Sequence, residues 1–289
     1  MKGARMRAWC LLLLTAAPLF SSVRTERFQI AGDWCFVKRS SAMTGQAVVI
    51  LHGNGEVVGS AGSSWETRQD ENRLMEALAD AGYLVAQSNA AAIPGNGMWG
   101  NENTQRAVLA LVDRLRRVER VQHFHAIAIS AGNLTLLNLL LRGTVFEHVV
   151  MLAPVTSLKS LYRCPAGVNR VRQISQSYGF TPAGGCPGEA EHDQSFRHGT
   201  SGYDPAALDA FSPEQTRVLR ATRWMTVYED GDPKVPPQEN ILAWKRAMER
   251  QGITIFTRVV AGARTHTGPG LFPECMTGLF AFLRDNPGP

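Results

Sequence analysis

The chain has 289 residues, 44% of them hydrophobic and 19% charged, which fits one globular domain with a large core and room for an inserted sub-domain. It carries no internal repeat and no low-complexity block. Of the formal net charge of +5, three positive charges (Lys2, Arg5 and Arg7) sit in the first 22 residues with no acid; the net of +2 that remains gives no footing to a nucleic-acid-binding reading.

Those first residues form a unit of their own. A basic start is followed by an apolar run from Ala8 to Phe20 and then by Ser21 and Ser22. The run is shorter than the ~20 residues that a membrane-spanning helix needs. Residues 1–22 therefore read as a secretory signal peptide, with the cut at Ser21 or Ser22 and no stable membrane span afterwards. The expected location is secreted or periplasmic.

Arg27 to Lys38 predicts one or two short edge strands. Gln46 to His52 is a continuous apolar run, the pattern of a strand buried on both faces. It leads into the turn His52-Gly53-Asn54-Gly55. A helix is expected over Trp65 to Ala81, ended by Gly82, and a strand over Tyr83 to Ser88. Asn101 or Asn103 caps the next helix, whose stripe is Ala107, Val108, Leu111, Val112 and Leu115. His123 to Gly143 then combines a short apolar strand with a leucine-rich helix. Phe146 to Pro154 is a further buried strand.

From Val155 to about Arg220 the alternation lapses. A structureless loop that long is foreign to a compact domain, so residues of about 156–220 read as an inserted cap. Its Lys159, Arg163, Arg170 and Arg172 make a basic face, plainly a solvated one or, on the sharper reading, one suited to anionic substrates or surfaces. Strand and helix then resume: a strand at Trp224 to Tyr228, a helix at Pro237 to Gln251, a strand at Thr254 to Val260 and a last helix from about Leu271 to Arg284. This order predicts an α/β architecture, a mostly parallel central sheet with helices on both faces.

Outside the signal, four cysteines remain: Cys35, Cys164, Cys186 and Cys275. An even count in an exported chain points to disulfides. Cys164 and Cys186 flank one loop-rich segment and are expected to pair, a closure worth ~3 kcal/mol in the chain-entropy picture. Cys35 with Cys275 is then the second bridge, the alternative being free buried thiols. No Cys or His group has the sequence spacing of a metal site.

The chemistry centres on Ala128-Ile129-Ser130-Ala131-Gly132, a small-x-Ser-x-small pattern at the strand-to-helix boundary, with Ala128 where glycine is commoner. Downstream come Asp232, in Asp-Gly-Asp-Pro-Lys-Val-Pro after a strand, and His266, the one histidine that follows it. Together with His52-Gly53-Asn54-Gly55, these residues resemble the α/β-hydrolase fold superfamily, serine esterases and lipases in particular, over roughly residues 47–282. The resemblance implies Ser130 as nucleophile, Asp232 as acid (Asp230 being its rival) and His266 as base. It implies an oxyanion hole from the backbone N–H groups of Asn54, on the loop of His52, Gly53 and Gly55, and of Ala131, next to the nucleophile. Many members of the superfamily have glycine three positions before the acid; here Glu229 stands there. Each motif has a plainer reading as a core serine, an ordinary turn or a structural histidine; their order, Ser then acid then His, selects the functional one.

The expected function is hydrolysis of carboxylic esters of small molecules, with no cofactor and no metal. Trp65 and Trp99, in loops on the site side of the sheet, are candidates for a substrate pocket or for packing beneath those loops. A peptidase or amidase, or a non-catalytic binding protein on the same fold, are the alternatives.

Overall fold

The computed structural model describes residues 23–90, 99–164, 167–179, 185–186, 211–262 and 264–284. The expected signal segment lies outside them, as does most of the later half of the expected cap.

The strands are β1 (Arg24–Ile30), β2 (Asp33–Arg39), β3 (Gln46–Leu51), β4 (Val58–Gly59), β5 (Gly62–Ser63), β6 (Leu84–Ser88), β7 (His123–Ile129), β8 (His148–Leu152), β9 (Arg223–Glu229) and β10 (Ile255–Val260). Eight form one sheet in the order β1-β2-β6-β3-β7-β8-β9-β10. The run from β6 through β10 is parallel, while β1 and β2 are antiparallel additions at one edge. Every residue of β8 is buried, as is all but the first of β3 and of β7. That is why these strands read as unbroken apolar runs: both of their faces are covered.

The helices are α1 (Ser64–Thr67), α2 (Gln69–Asp80), α3 (Glu102–Val118), α4 (Gly132–Leu141), α5 (Leu158–Tyr162), α6 (Val168–Ser177), α7 (Pro213–Ala221), α8 (Ile241–Arg250) and α9 (Leu271–Arg284). One face of the sheet packs against Leu111 and Leu115 of α3, Leu136 and Leu140 of α4, Leu219 of α7 and Trp244 of α8. The other packs against Leu74, Met75 and Leu78 of α2 and Phe272 and Leu279 of α9. Each such side chain contributes roughly 1.5–3 kcal/mol of burial. A third cluster, with Trp99, Leu134, Leu161, Tyr162, Val171 and Ile174, seats α5 and α6 against α4.

Three expectations change. The helix foreseen over 65–81 is two helices, because Arg68 between them is extended (φ −99°, ψ 132°) and pairs with Glu56. Residues 213–221, assigned to the cap by sequence, are α7, which tucks Val218 and Leu219 into the main core. The Cys35–Cys275 bridge does not exist: Cys35 packs in the cluster on one face of the sheet and Cys275 in that on the other, and both are free. Cys164 and Cys186 are bonded. Among the described residues no helix is long and apolar enough to cross a membrane.

Candidate active site

Ser130 follows the last residue of β7 and precedes α4. Its φ of +50° lies in the left-handed region, a strained state for a residue with a Cβ. The surroundings hold it there. The Ser130 N–H donates to Leu152 O (2.9 Å), and Ser130 O accepts from the N–H groups of Asn133 and Val155. Asn133 also donates its side-chain amide to Ala128 O (3.2 Å) and Ser130 O (3.0 Å). The turn brings α4 hard against the end of β3: a Cβ on Gly132 would lie 2.2 Å from Leu51 O, so no other residue fits. Ala128 sits in the sheet between Leu51 and Met151 and is fully buried.

The structure brings Ser130, His266 and Asp232 together. Ser130 Oγ lies 2.7 Å from His266 Nε2, and His266 Nδ1 lies 2.6 Å from Asp232 Oδ2. The other carboxylate oxygen of Asp232 accepts from the N–H groups of Lys234 (2.8 Å) and Val235 (3.0 Å), which fixes the plane of the acid. A carboxylate only accepts, so the neutral imidazole keeps its proton on Nδ1 and turns a lone pair toward the serine. Ser130 is buried, retaining 8% of its exposure. Asp230, the rival acid, instead accepts the Gly262 N–H (2.9 Å).

On the oxyanion loop, the N–H of Gly53 is taken by Glu56 Oε2 (2.7 Å). Among the described residues no acceptor takes the N–H of Asn54 or of Ala131. Gly53 lies close to the serine; a Cβ there would stand 3.3 Å from that of Ser130. Gly55 turns the loop with φ +82°. His52 is buried, its ring nitrogens 3.0 Å from Gly53 O and 3.3 Å from Asn89 O, so it ties this loop to the end of β6.

Two buried glutamates, Glu56, unremarked in the sequence, and Glu229, noted there only as a departure from glycine, do much of the positioning. Glu56 gathers the Gly53 N–H, the Trp65 indole N–H (2.9 Å) and the Arg68 guanidinium. Glu229, 1% exposed, accepts from Thr265 Oγ (2.9 Å) and the Gly268 N–H (2.6 Å), one residue before His266 and two after it. The signal for Glu229 was present in its departure from the usual glycine; its partners were not. Asn240 plays a similar part between the acid loop and the start of α5, accepting the N–H groups of Thr156 and Ser157 (3.1 and 3.0 Å). The α6 helix reaches the oxyanion loop through Gln173 Oε1, which accepts from Asn54 Nδ2 (3.1 Å).

No protein-family model matches the chain, and no curated protein matches it significantly. Solved structures do. The Pyrococcus horikoshii acylaminoacyl peptidase superposes with a TM-score of 0.59 at 13% identity over 90% of this chain, which spans only 41% of that protein. A ferulic acid esterase gives 0.57 at 14% identity, covering 90% of this chain and 95% of that one. Carboxyl esterase 2 of the fungus Tuber melanosporum gives 0.52 at 13% identity, covering 88% and 80%. The chain has the α/β-hydrolase fold.

The turn that carries Ser130 follows β7, the loop that carries Asp232 follows β9 and the loop that carries His266 follows β10, all at the carboxyl edge of the sheet. The candidate pocket residues do not line that edge. Trp65 and Trp99 are both fully buried. Trp65 meets Phe272 edge-on, and Trp99 lies under the Arg170 guanidinium at 5.0 Å. They are packing beneath loops. The basic face of the cap also disperses: Arg163 and Arg172 are exposed, while Arg170 turns onto Trp99.

Proposed function

We propose that the protein is an exported serine hydrolase of carboxylic esters, acting through an acyl-enzyme. The carrying observation is the continuous hydrogen-bonded relay from Ser130 through His266 to Asp232. Ser130 Oγ attacks the ester carbonyl carbon and its proton passes to His266 Nε2. The negative charge gathering on the carbonyl oxygen is met by the N–H groups of Asn54 and Ala131, each worth on the order of 3 kcal/mol in the transition state. The alcohol leaves with the proton from His266. Water, deprotonated by the same imidazole, then cleaves the acyl-enzyme to release the acid and restore the serine. Asp232 holds the tautomer and stabilises the imidazolium while it exists.

The ester reading draws support from the near full-length overlap with the ferulic acid esterase. A peptidase reading draws on the likeness to the acylaminoacyl peptidase, of which this chain matches less than half. Export is supported by the signal-like residues 1–22 and the Cys164–Cys186 disulfide. The cap reading is supported by α5 and α6, which sit between β8 and β9, and by the contact of α6 with Asn54 through Gln173.

Hydrolysis of p-nitrophenyl esters of graded chain length tests the proposal. Ser130→Ala should lower kcat/KM by at least about 10⁴-fold, and a fluorophosphonate probe should label the wild type alone. Undiminished activity in Ser130→Ala would remove the nucleophile assignment. An unlabelled wild type would favour a non-catalytic binding protein. Equal turnover of a matched anilide would favour the amidase.

A further inference from the structure

The opposite end of β7 holds a second cluster of chemistry-bearing side chains. His125 of β7 and His148 of β8 are register partners, 1% and 3% exposed, with their Nδ1 atoms 3.1 Å apart. His125 Nε2 lies 3.0 Å from Gln46 Oε1, at the start of β3. A carboxamide oxygen only accepts, so Nε2 carries the His125 proton and Nδ1 presents a bare lone pair to His148. Glu147 stands beside them, and the ligating atoms of His125, Glu147 and His148 all lie within 4.8 Å of one another, the only such group among the described residues. Glu147 is itself oriented by His123, whose Nδ1 is 2.6 Å from its Oε1.

Two imidazole nitrogens on one tetrahedral zinc, with Zn–N lengths of ~2.0–2.1 Å, stand about 3.3 Å apart. The His125–His148 separation is within a few tenths of an ångström of that. Burial, reinforced by the neighbouring His148 and His123, holds the His125 pKa down to about 3, so its ring is neutral as ligation demands. Gln46 behind His125 and His123 behind Glu147 are the outer partners that orient metal ligands. The Tyr83 ring meets His125 and the Phe282 ring meets His148 edge-on, so the two imidazoles are packed while the Glu147 side, 41% exposed, stays open to water.

We propose that His125 Nδ1, His148 Nδ1 and the Glu147 carboxylate bind one divalent transition-metal ion of the zinc class, with water as fourth ligand. Imidazole with one carboxylate suits zinc rather than calcium or magnesium. His148 takes the tautomer with its proton on Nε2, so no net proton need be lost from either ring. The site lies five strand residues from Ser130, roughly 16 Å, and joins β7 to β8 rather than serving the relay.

The full chain, stripped with chelator, would be titrated with Co²⁺ and then Zn²⁺. One Co²⁺ per chain with the intense visible bands of tetrahedral coordination, displaced by Zn²⁺, is expected. Zn²⁺ at a hundred times its Kd should raise the melting temperature by about 5 °C. Glu147→Gln alters a partly exposed side chain and should keep the metal-free circular dichroism spectrum while weakening binding at least about tenfold. His148→Gln should abolish the tetrahedral bands. No stoichiometric binding, octahedral cobalt, or bands unmoved in both variants would leave His125 and His148 as an ordinary hydrogen-bonded core pair.

Discussion

The two ends of β7 are built by opposite means. At its carboxyl end, Ser130 meets partners that come from loops after β9 and β10, held by directional bonds and by backbone strain. At its amino end, His125 meets His148 because the sheet register sets them side by side, and no loop is involved. The first arrangement is costly to assemble, needing Glu56, Glu229 and Asn240 to pin the loops. The second comes with strand pairing and needs Gln46 alone to fix a tautomer. Loop-built sites vary in chemistry with little harm to the core, whereas a strand-built one cannot change without disturbing the sheet.

The contrast can be broken at the loop-built end first. Asp232→Asn should preserve the geometry yet favour the wrong imidazole tautomer, lowering kcat by roughly 10⁴-fold. A loss under tenfold would mean that another acid serves His266. At the strand-built end the effect should appear in stability. His125 faces His123, Glu147, His148 and Tyr83, and its folded-state pKa of about 3 lies below the ~6.5 of an unfolded histidine. The unfolded chain therefore gains a proton as pH falls between these values while the folded chain does not. Stability is complete above pH ~6.5 and declines toward pH 3, by on the order of 3 kcal/mol at pH 4. Urea midpoints in chelator at pH 7 and pH 4.5 measure this, and His125→Gln should flatten the difference. Equal slopes in both proteins would assign the acid lability elsewhere. The smallest effect is expected for Glu229→Gln, which keeps one acceptor for Thr265 and Gly268 but loses the other. About a tenfold fall in kcat with KM unchanged would mark it as a positioning residue; a changed KM would place it against substrate instead.

The same contrast governs what the sequence made legible. Ser130, Asp232 and His266 were readable because loop motifs have local signatures and a fixed order along the chain. Glu229 was visible only as an oddity, since its partners Thr265 and Gly268 lie across the sheet edge. The pairing of His125 with His148 has no local signature at all; it depends on the β7–β8 register, 23 residues apart in sequence. Period-two alternation separates Cys35 and Val37 from Phe36 on β2, but it does not say which face the last helix covers, and the expected Cys35–Cys275 bridge failed there. The break at Arg68 was hidden because its cause, the buried Glu56, precedes it by a loop. Trp65 and Trp99 read from sequence as either pocket walls or packing beneath their loops, because loop residues after parallel strands can face the site or the core; the core clusters that drew both inward decide for packing.

The two unpaired thiols among the described residues supply a built-in pair of clocks. Cys35, on β2, and Cys275, on α9, point into the packed layers on opposite faces of the sheet, and burial raises both pKa values to about 12. Neither reacts while its layer is closed. Thiol labelling under native conditions should therefore time the opening of each layer separately, with the reacted cysteine identified by peptide mass. Unequal rates would mean that the layer carrying α9 and the layer carrying α3 open independently. Equal rates would mean that the sheet releases both faces in one event.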